Sequence, residues 1–176
     1  MKLIDSYNDY IQDYIENHIN SLNPVLWIER NIVEMGSNVE LSDIQRHIIS
    51  AETSLLNRHI PRRRGKTFAV LCSAIHKACV LKQTCLYVAH NQLSTRYAKN
   101  KVIELLRASE LLFIHATDYV RIGEGCIYFT HTDGIDNSYR GRRFDCVFLD
   151  EVTASPEVEA FLIDTPLITV GSSAYR

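Results

Sequence analysis

The chain lacks any long apolar run, because no stretch of its 176 residues approaches twenty consecutive apolar side chains. A helix that crosses a membrane needs about that many, so the sequence predicts no membrane span and no membrane partner. The first twenty residues carry Asp5, Asp9, Asp13 and Glu16 and lack the basic and then apolar order of a secretion signal. We therefore expect an intracellular protein that is not secreted.

A large excess of charge is also missing, because 19 Lys and Arg residues face 21 Asp and Glu residues. The formal net charge of −2 gives no case from composition for nucleic-acid binding. No Cys-x-x-Cys pair or His-rich group is present, and most of the five cysteines lie in apolar runs. They are predicted to be buried, reduced thiols and not zinc ligands.

What the chain does have is enough apolar material for one compact domain, with 46% hydrophobic and 23% charged residues. Segments with helix and strand periodicity alternate along it. Helices are predicted for 4–22, 24–35, 67–79 and 92–108. Two more are predicted to begin after the N-cap residue Ser42 and at Ser155. Strands are predicted for 54–60, 84–90, 111–114, 119–122, 126–130, 146–149 and 167–170, with an antiparallel edge hairpin turning at 123–125. This order indicates an α/β fold.

A glycine, a lysine and a threonine lie between a predicted strand and a predicted helix, at Gly65, Lys66 and Thr67. Backbone N–H groups and the dipole at a helix N-terminus attract phosphate oxygens, and Gly65 has no Cβ to keep a phosphate away. Lys66 would reach the β- and γ-phosphates, and the Thr67 hydroxyl would bind Mg²⁺. The complete phosphate-loop pattern requires a glycine where this chain has Ile60, so the pattern is incomplete.

An acidic pair supplies the second half of the pattern, because the apolar run 146–149 ends in Asp150 and Glu151. Such a run describes a buried parallel strand whose carboxyl end lies at the ligand edge of the sheet. Asp150 would hold Mg²⁺ through water, and Glu151 would orient or deprotonate the attacking water. We therefore predict a P-loop NTPase of the ASCE type, with a mostly parallel central sheet flanked by helices and with ATP and Mg²⁺ as cofactors. The alternative is a solvated strand end beside a basic loop.

Three further features accompany these segments. Two arginine groups, at 62–64 and 140–143, flank the predicted site. They would bind the triphosphate and contribute to a subunit interface. The alternative is that they form only a solvated face or a nuclear-import-like patch. Gln45 lies about twenty residues before Lys66, where many translocating ATPases place a glutamine that reads adenine. Its alternative role is that of a good helix former.

The chain resembles the N-terminal ATPase domain of viral terminase large subunits, which drive DNA into procapsids. The resemblance runs from about residue 40 to the end. It rests on the arginine-containing segment 61–67 without its first glycine, on Val88-Ala89-His90-Asn91, on Arg140-Gly141 before the acidic strand, and on Gly171-Ser172-Ser173-Ala174 after the last strand. It implies an ATPase domain over residues 40–176. Residues 1–39 match the family only loosely, and their two predicted helices most simply form a helical extension packed on that domain.

The resemblance also implies roles. Arg62 would contact the γ-phosphate as the Walker A arginine, with Arg63 and Arg64 as neighbouring nucleotide-binding residues. Arg140 would be an arginine finger for the next subunit of a homo-oligomeric ring, or else a surface salt bridge. The coupling segment would comprise Gly171, Ser172 and Ser173.

Double-stranded DNA, a portal protein and a small terminase subunit are the partners implied. The location implied is the interior of the host cell, in the cytoplasm or in the nucleus of a eukaryotic host. The family continues into a nuclease domain that these residues do not supply, so no nuclease activity is expected of them. Two other functions fit the motifs: the first motor domain of a helicase-like DNA translocase, and a nucleotide-binding assembly module with little turnover alone.

Overall fold

The computed structural model describes residues 21–51, 63–135, 139 and 141–152, and the backbone of the strand at 167–170. The described residues form four α-helices, eight strands and a short 3-10 turn at Thr132–Gly134. The helices are α1 (Pro24–Asn31), α2 (Asp43–Ile49), α3 (Lys66–Cys79) and α4 (Gln92–Ala108). The strands are β1 (Val33–Glu34), β2 (Ser37–Asn38), β3 (Thr84–Ala89), β4 (Ile114–His115), β5 (Tyr119–Ile122), β6 (Gly125–His131), β7 (Cys146–Asp150) and β8 (Leu167–Val170).

Six strands form the central sheet in the order β4-β5-β6-β3-β7-β8. β6, β3, β7 and β8 run parallel, whereas β4, β5 and β6 pair antiparallel at one edge. The register places Ala89 of β3 opposite Asp150 of β7, so the carboxyl ends of these two neighbouring strands lie side by side. The predicted α/β class, the mostly parallel sheet and the antiparallel edge hairpin are confirmed.

The two faces of the sheet bury different alternating sets of side chains, as the period of a strand requires. Cys85, Tyr87 and Ala89 of β3 face the four helices and join one apolar cluster with Phe148 of β7. The residues between them, together with others of β7, form a second cluster on the opposite face. Its members are Leu86, Val88, Ile135, Tyr139, Phe144, Val147, Leu149 and Val152. Both faces of the central strands are therefore buried, which explains their nearly continuous apolar sequence.

The helix starts follow the capping chemistry that the sequence indicates. The Asn23 side chain accepts hydrogen bonds from Val25 N and Leu26 N at the start of α1, with Pro24 in its first turn. Ser42 and Gln45 form a reciprocal capping box at the start of α2. The predicted helix over 92–108 coincides with α4, and the predicted strand over 167–170 coincides with β8.

The helix predicted for 24–35 is wrong beyond Asn31. The chain instead turns through a two-residue loop, Met35 with φ 52° and Gly36 with φ 82°, and β1 pairs antiparallel with β2. Positive φ at both loop residues is typical of a tight hairpin whose twist matches its strands. The hairpin is held to the core because Val33 N donates to Ser109 Oγ at 2.8 Å.

Other predictions need smaller corrections or lie outside the described residues. The strand predicted over 111–114 is confined to Ile114–His115, where pairing with β5 begins. The predicted strand 54–60, most of the predicted helix 4–22 and the helix from Ser155 lie outside the described residues. In the part of the chain that the structure describes, no helix is long and apolar enough to cross a membrane.

The cysteines lie in the apolar interior, as their sequence surroundings predict. All five are free thiols, and all but the half-buried Cys79 are buried. Burial raises the pKa of the Cys146 thiol to about 11, so this thiol is protonated at neutral pH. Thiols in such surroundings pack as small apolar side chains.

Candidate functional site

The incomplete phosphate loop ends at a glycine that the local geometry requires. Gly65 precedes the first residue of α3 and has a left-handed backbone, φ 70° and ψ 26°. A Cβ at this position would lie 2.4 Å from Nε2 of Gln45, which is closer than van der Waals contact allows. Lys66 and Thr67 then form the first turn of α3, so their side chains lie beside the N-terminal backbone N–H groups of the helix.

The acidic pair comes to the same place because β7 ends next to α3. Asp150, the last residue of β7, is 7% exposed, and its Oδ2 accepts a hydrogen bond of 2.7 Å from Thr67 Oγ1. The other oxygen, Oδ1, is buried and has no hydrogen-bond partner among the described residues. A buried carboxylate with one unsatisfied oxygen beside a threonine hydroxyl is a suitable pair of oxygen ligands for a hard cation.

The electrostatic environment of Asp150 also favours a bound cation. Burial raises the pKa of its carboxyl, and the nearby Glu151 charge raises it further. Hydrogen bonds from Tyr87 and Thr67 and the charge of Lys66 act in the opposite direction. The ionised carboxylate is therefore an unfavourable group in the protein alone, and a divalent cation beside it would relieve that cost.

The lysine of the loop and the second acid of the pair also meet. Lys66 Nζ lies 3.4 Å from Glu151 Oε1; Lys66 is buried, whereas the Glu151 side chain is 38% exposed. Glu151 has a left-handed backbone, φ 56°, which is uncommon for a residue with a Cβ and costs about 1–2 kcal/mol. The chain thus changes direction immediately after Asp150, at the residue predicted to act on the attacking water.

Two cavities adjoin this group of side chains. One of about 630 Å³ extends from the loop toward the β1–β2 hairpin, and one of about 550 Å³ extends along β3 and α4. Thr67, Tyr97 and Glu151 line both of them. The larger cavity is within the usual range for ligand pockets, and its lining includes Lys66 and the predicted nucleotide-binding residues Gln45, Arg63, Arg64 and Gly65.

Gln45 has two polar contacts at the edge of the larger cavity. Its Oε1 accepts from Ser42 N at 2.9 Å, and its Nε2 donates to Gly65 O at 3.5 Å. The amide thus links the start of α2 to the phosphate loop. The structure brings Gln45 to the site, and the adenine contact stays a prediction.

The remaining predicted site residues, Arg62, Arg140, Gly171, Ser172 and Ser173, lie outside the described residues. The described neighbours of position 140 are held firmly. Arg142 N donates to Tyr139 O at 3.1 Å, and the Arg142 guanidinium carbon lies 4.8 Å from the ring centre of Tyr128. Arg142, from the second arginine group, therefore makes a cation–π contact with the sheet.

Tyr87 also belongs to this group of side chains, although no sequence motif pointed to it. Its hydroxyl donates to Asp150 Oδ2 at 2.6 Å, and its side chain lines the smaller cavity. Burial and the nearby Asp150 charge raise the pKa of this hydroxyl well above its ordinary value, so it is a donor at neutral pH. A tyrosine inside a buried apolar strand needs a hydrogen-bond partner; the sequence shows that need but does not show that Asp150 meets it.

The described residues contain no group of three or more His, Cys, Asp or Glu side chains placed to hold a metal ion. Mg²⁺ in nucleotide sites is commonly held by one or two protein oxygens together with phosphates. The Asp150 carboxylate and the Thr67 hydroxyl fit that donor set, and the unsatisfied Oδ1 of Asp150 supports the fit.

Comparison with known protein families gives a match. The family described as terminase large subunit, T4likevirus-type, N-terminal, matches residues 58–162. No curated protein matches the sequence significantly.

Solved structures give the fold. The HK97 bacteriophage large terminase superposes with a TM-score of 0.69 at 15% identity, over 86% of this chain and 37% of that one. The large terminase ATPase domain of Thermus phage P74-26 superposes with a TM-score of 0.51 at 15% identity, over 76% of this chain and 70% of that one. The chain thus spans little more than a third of the length of the HK97 protein. The family match over residues 58–162 favours the first of the three predicted functions over a helicase motor domain.

Proposed function

Because the chain belongs to the family of terminase large subunits, we propose that it is a motor domain that hydrolyses ATP to drive double-stranded viral DNA into a procapsid. The observation that carries the proposal is the convergence of two distant segments. Thr67 Oγ1 lies 2.7 Å from Asp150 Oδ2, and Lys66 Nζ lies 3.4 Å from Glu151 Oε1. Both contacts are beside a cavity of about 630 Å³. Each pair joins the phosphate loop to the end of β7.

The nucleotide phosphates would lie at the start of α3. Its N-terminal N–H groups and the Lys66 ammonium supply positive charge for the β- and γ-phosphates. Thr67 and Asp150 would hold Mg²⁺, which when bound neutralises charge that develops on the phosphates. Arg63 and Arg64, which line the larger cavity, would supply further positive charge there. Arg62 is proposed for the γ-phosphate and Gln45 for the adenine.

Glu151 is the group placed to act on water. Its side chain is partly exposed and salt-bridged to Lys66, at the boundary between the two cavities. In that position it would orient the attacking water and accept its proton, while Lys66 turns to the phosphates. No other carboxylate in the described part of the chain lines both cavities, which supports assigning this role to Glu151.

Assembly and DNA contact complete the proposal. Arg140 would reach the nucleotide of a neighbouring subunit in a homo-oligomeric ring, where such a finger increases turnover by about 10³ to 10⁵. Gly171, Ser172 and Ser173 would couple hydrolysis to movement of the DNA. DNA contacts would be to phosphates, salt-sensitive and indifferent to sequence. A portal protein and a small terminase subunit are the proposed partners, inside the host cell, and no nuclease activity is expected of these residues.

Replacing Glu151 by glutamine tests the catalytic assignment. We expect binding of a fluorescent ATP analogue to stay within about twofold of the parent, while phosphate release falls by at least about 10²-fold, the usual contribution of a general base. Glu124→Gln is a matched control. Glu124 lies on the exposed turn between β5 and β6, forms a salt bridge with Lys82, and lines neither cavity. Lys66→Ala should lose nucleotide binding itself.

The outcomes separate the candidate functions. Turnover that is unchanged in Glu151→Gln would remove Glu151 from the mechanism. Nucleotide binding by the parent chain without phosphate release, both alone and in an assembled ring, would favour the assembly module over a motor. Weak turnover that rises on assembly is the result expected for a motor that takes an arginine from its neighbour.

A further inference from the structure

Tyr87 occupies an unusual place for a tyrosine hydroxyl, in the buried interior directly behind the acidic pair. Its side chain is 1% exposed, and its ring packs against Phe129 of β6 with ring centres 5.7 Å apart. The hydroxyl is 2.6 Å from Asp150 Oδ2. A hydrogen bond of this length to a carboxylate belongs to the strong, charge-assisted class.

The sheet itself determines this contact. Tyr87 of β3 is opposite Phe148 of β7, and two residues further Ala89 is opposite Asp150. Residues two apart on a strand point to the same face, so Tyr87 and Asp150 are diagonal neighbours on the helix-facing side. Both ends of the hydrogen bond are therefore attached to paired central strands, which are among the most rigid parts of a fold.

The hydrogen bonds around Asp150 are unequally divided between its two oxygens. Oδ2 accepts from two hydroxyls, Tyr87 at 2.6 Å and Thr67 at 2.7 Å. Oδ1 is buried without a partner among the described residues. Two donors on one oxygen fix the rotation of the carboxylate and fill the lone pairs of Oδ2. Oδ1 is then the oxygen that stays available to a further ligand.

We propose that Tyr87 is a positioning residue for the metal site: it holds Asp150 Oδ2 so that Oδ1 is presented to the magnesium ion or its bound water. This inference rests on the proposed function. Thr67 has a second proposed task at the phosphates, whereas the hydroxyl of Tyr87 donates to Asp150 from the neighbouring strand β3. Tyr87 therefore keeps the carboxylate oriented whether or not nucleotide is bound.

The test measures metal binding directly and does not depend on turnover. Free Mn²⁺ is followed by electron paramagnetic resonance during titration of the 176-residue chain with a non-hydrolysable ATP analogue present. Tyr87→Phe keeps the ring and removes the hydroxyl. We expect it to weaken Mn²⁺ binding by about 10-fold to 100-fold, as loss of an outer-shell partner of a metal ligand commonly does.

A matched control removes a tyrosine hydroxyl elsewhere in the same sheet. Tyr119 lies on β5, two strands from β3, and lines neither cavity, so Tyr119→Phe should leave Mn²⁺ binding within about twofold. Circular dichroism of each variant verifies that it is folded. Tyr87→Met also lacks the hydroxyl and provides the same measurement if the phenylalanine variant cannot be purified.

A double-mutant cycle distinguishes positioning from general packing. If Tyr87 acts through Asp150, Tyr87→Phe should change Mn²⁺ affinity by less than about twofold once Asp150 has been replaced by asparagine. Equal losses in the two backgrounds would overturn the inference, and so would unchanged affinity in Tyr87→Phe alone. If Asp150→Asn itself leaves Mn²⁺ binding intact, the proposed metal site fails together with the inference. If only Tyr87→Phe has no effect, the inference alone fails.

Discussion

Replacing Gly65 by alanine perturbs two features of the phosphate loop together. The backbone there has φ 70°, a conformation that costs a residue with a Cβ about 1–2 kcal/mol. The new methyl group would also lie 2.4 Å from Gln45 Nε2. Because this atom is the far end of a flexible side chain, we expect Gln45 to move away and the loop backbone to stay in place.

The cost of moving Gln45 can be estimated from its contacts. Its Oε1 would leave Ser42 N, now 2.9 Å away, and its Nε2 would leave Gly65 O at 3.5 Å. The first contact is half of the capping box of α2, and a helix cap contributes about 1 kcal/mol; the second is too long to add much. Gly65→Ala should therefore lower the free energy of unfolding by about 2–3 kcal/mol in total.

Urea denaturation in the absence of nucleotide measures this loss. Gly123→Ala is the matched control, because Gly123 has φ 59° with no atom within 4 Å of an added Cβ, so only the backbone cost of about 1–2 kcal/mol applies. In a Gln45→Ala background, Gly65→Ala should cost no more than the control. The reasoning is refuted if Gly65→Ala and Gly123→Ala cost the same in the parent, or if the Gln45 background makes no difference.

Two further predictions concern stability. Burial raises the pKa of Asp150 from its ordinary value of 3.8, so ionisation of this carboxyl destabilises the fold as the pH rises above that value. Urea titrations in EDTA should therefore find Asp150→Asn more stable than the parent at pH 7. The difference in stability should shrink toward pH 4. A difference independent of pH would contradict this. A Cβ on Gly125 would lie 2.1 Å from the Ala78 carbonyl oxygen. This is a backbone atom and moves less easily than a flexible side chain, so Gly125→Ala should lower the urea-derived free energy of unfolding by more than about 2 kcal/mol. A loss below about 0.5 kcal/mol would mean that the end of α3 can shift.

Local sequence patterns were most informative where local interactions decide the structure. α4 begins at the Asn91 cap and ends where its apolar periodicity ends, so its bounds could be read from the sequence. The end of α1 could not, because Ile32 and Val33 are compatible with a helix in isolation. Val33 bonds instead to Ser109, 76 residues away, and this contact outweighs a weak helix propensity.

The residues of the site also fall into those recognisable from the sequence and those that depend on tertiary contacts. The identity and order of Lys66, Thr67, Asp150 and Glu151 were recognisable, since phosphate and metal binding restrict the residue types to few choices. Tyr87 was missed because its part in the site depends on the register of β3 against β7, and register is a relation between strands. The Gln45 contact with Gly65 is likewise a contact between α2 and the loop.

The sequence by itself determined the α/β class, most of the strands and helices, and the chemical groups available for phosphate and metal, because each depends on residue type and local periodicity. Only the tertiary structure decided which oxygen of Asp150 is held by Thr67 and Tyr87 and which is left unsatisfied. It also decided that Lys66 pairs with Glu151 across 85 positions of chain. Hydrogen bonds and salt bridges require placement to within a few tenths of an ångström, and in this chain strand pairing and helix packing supply that placement.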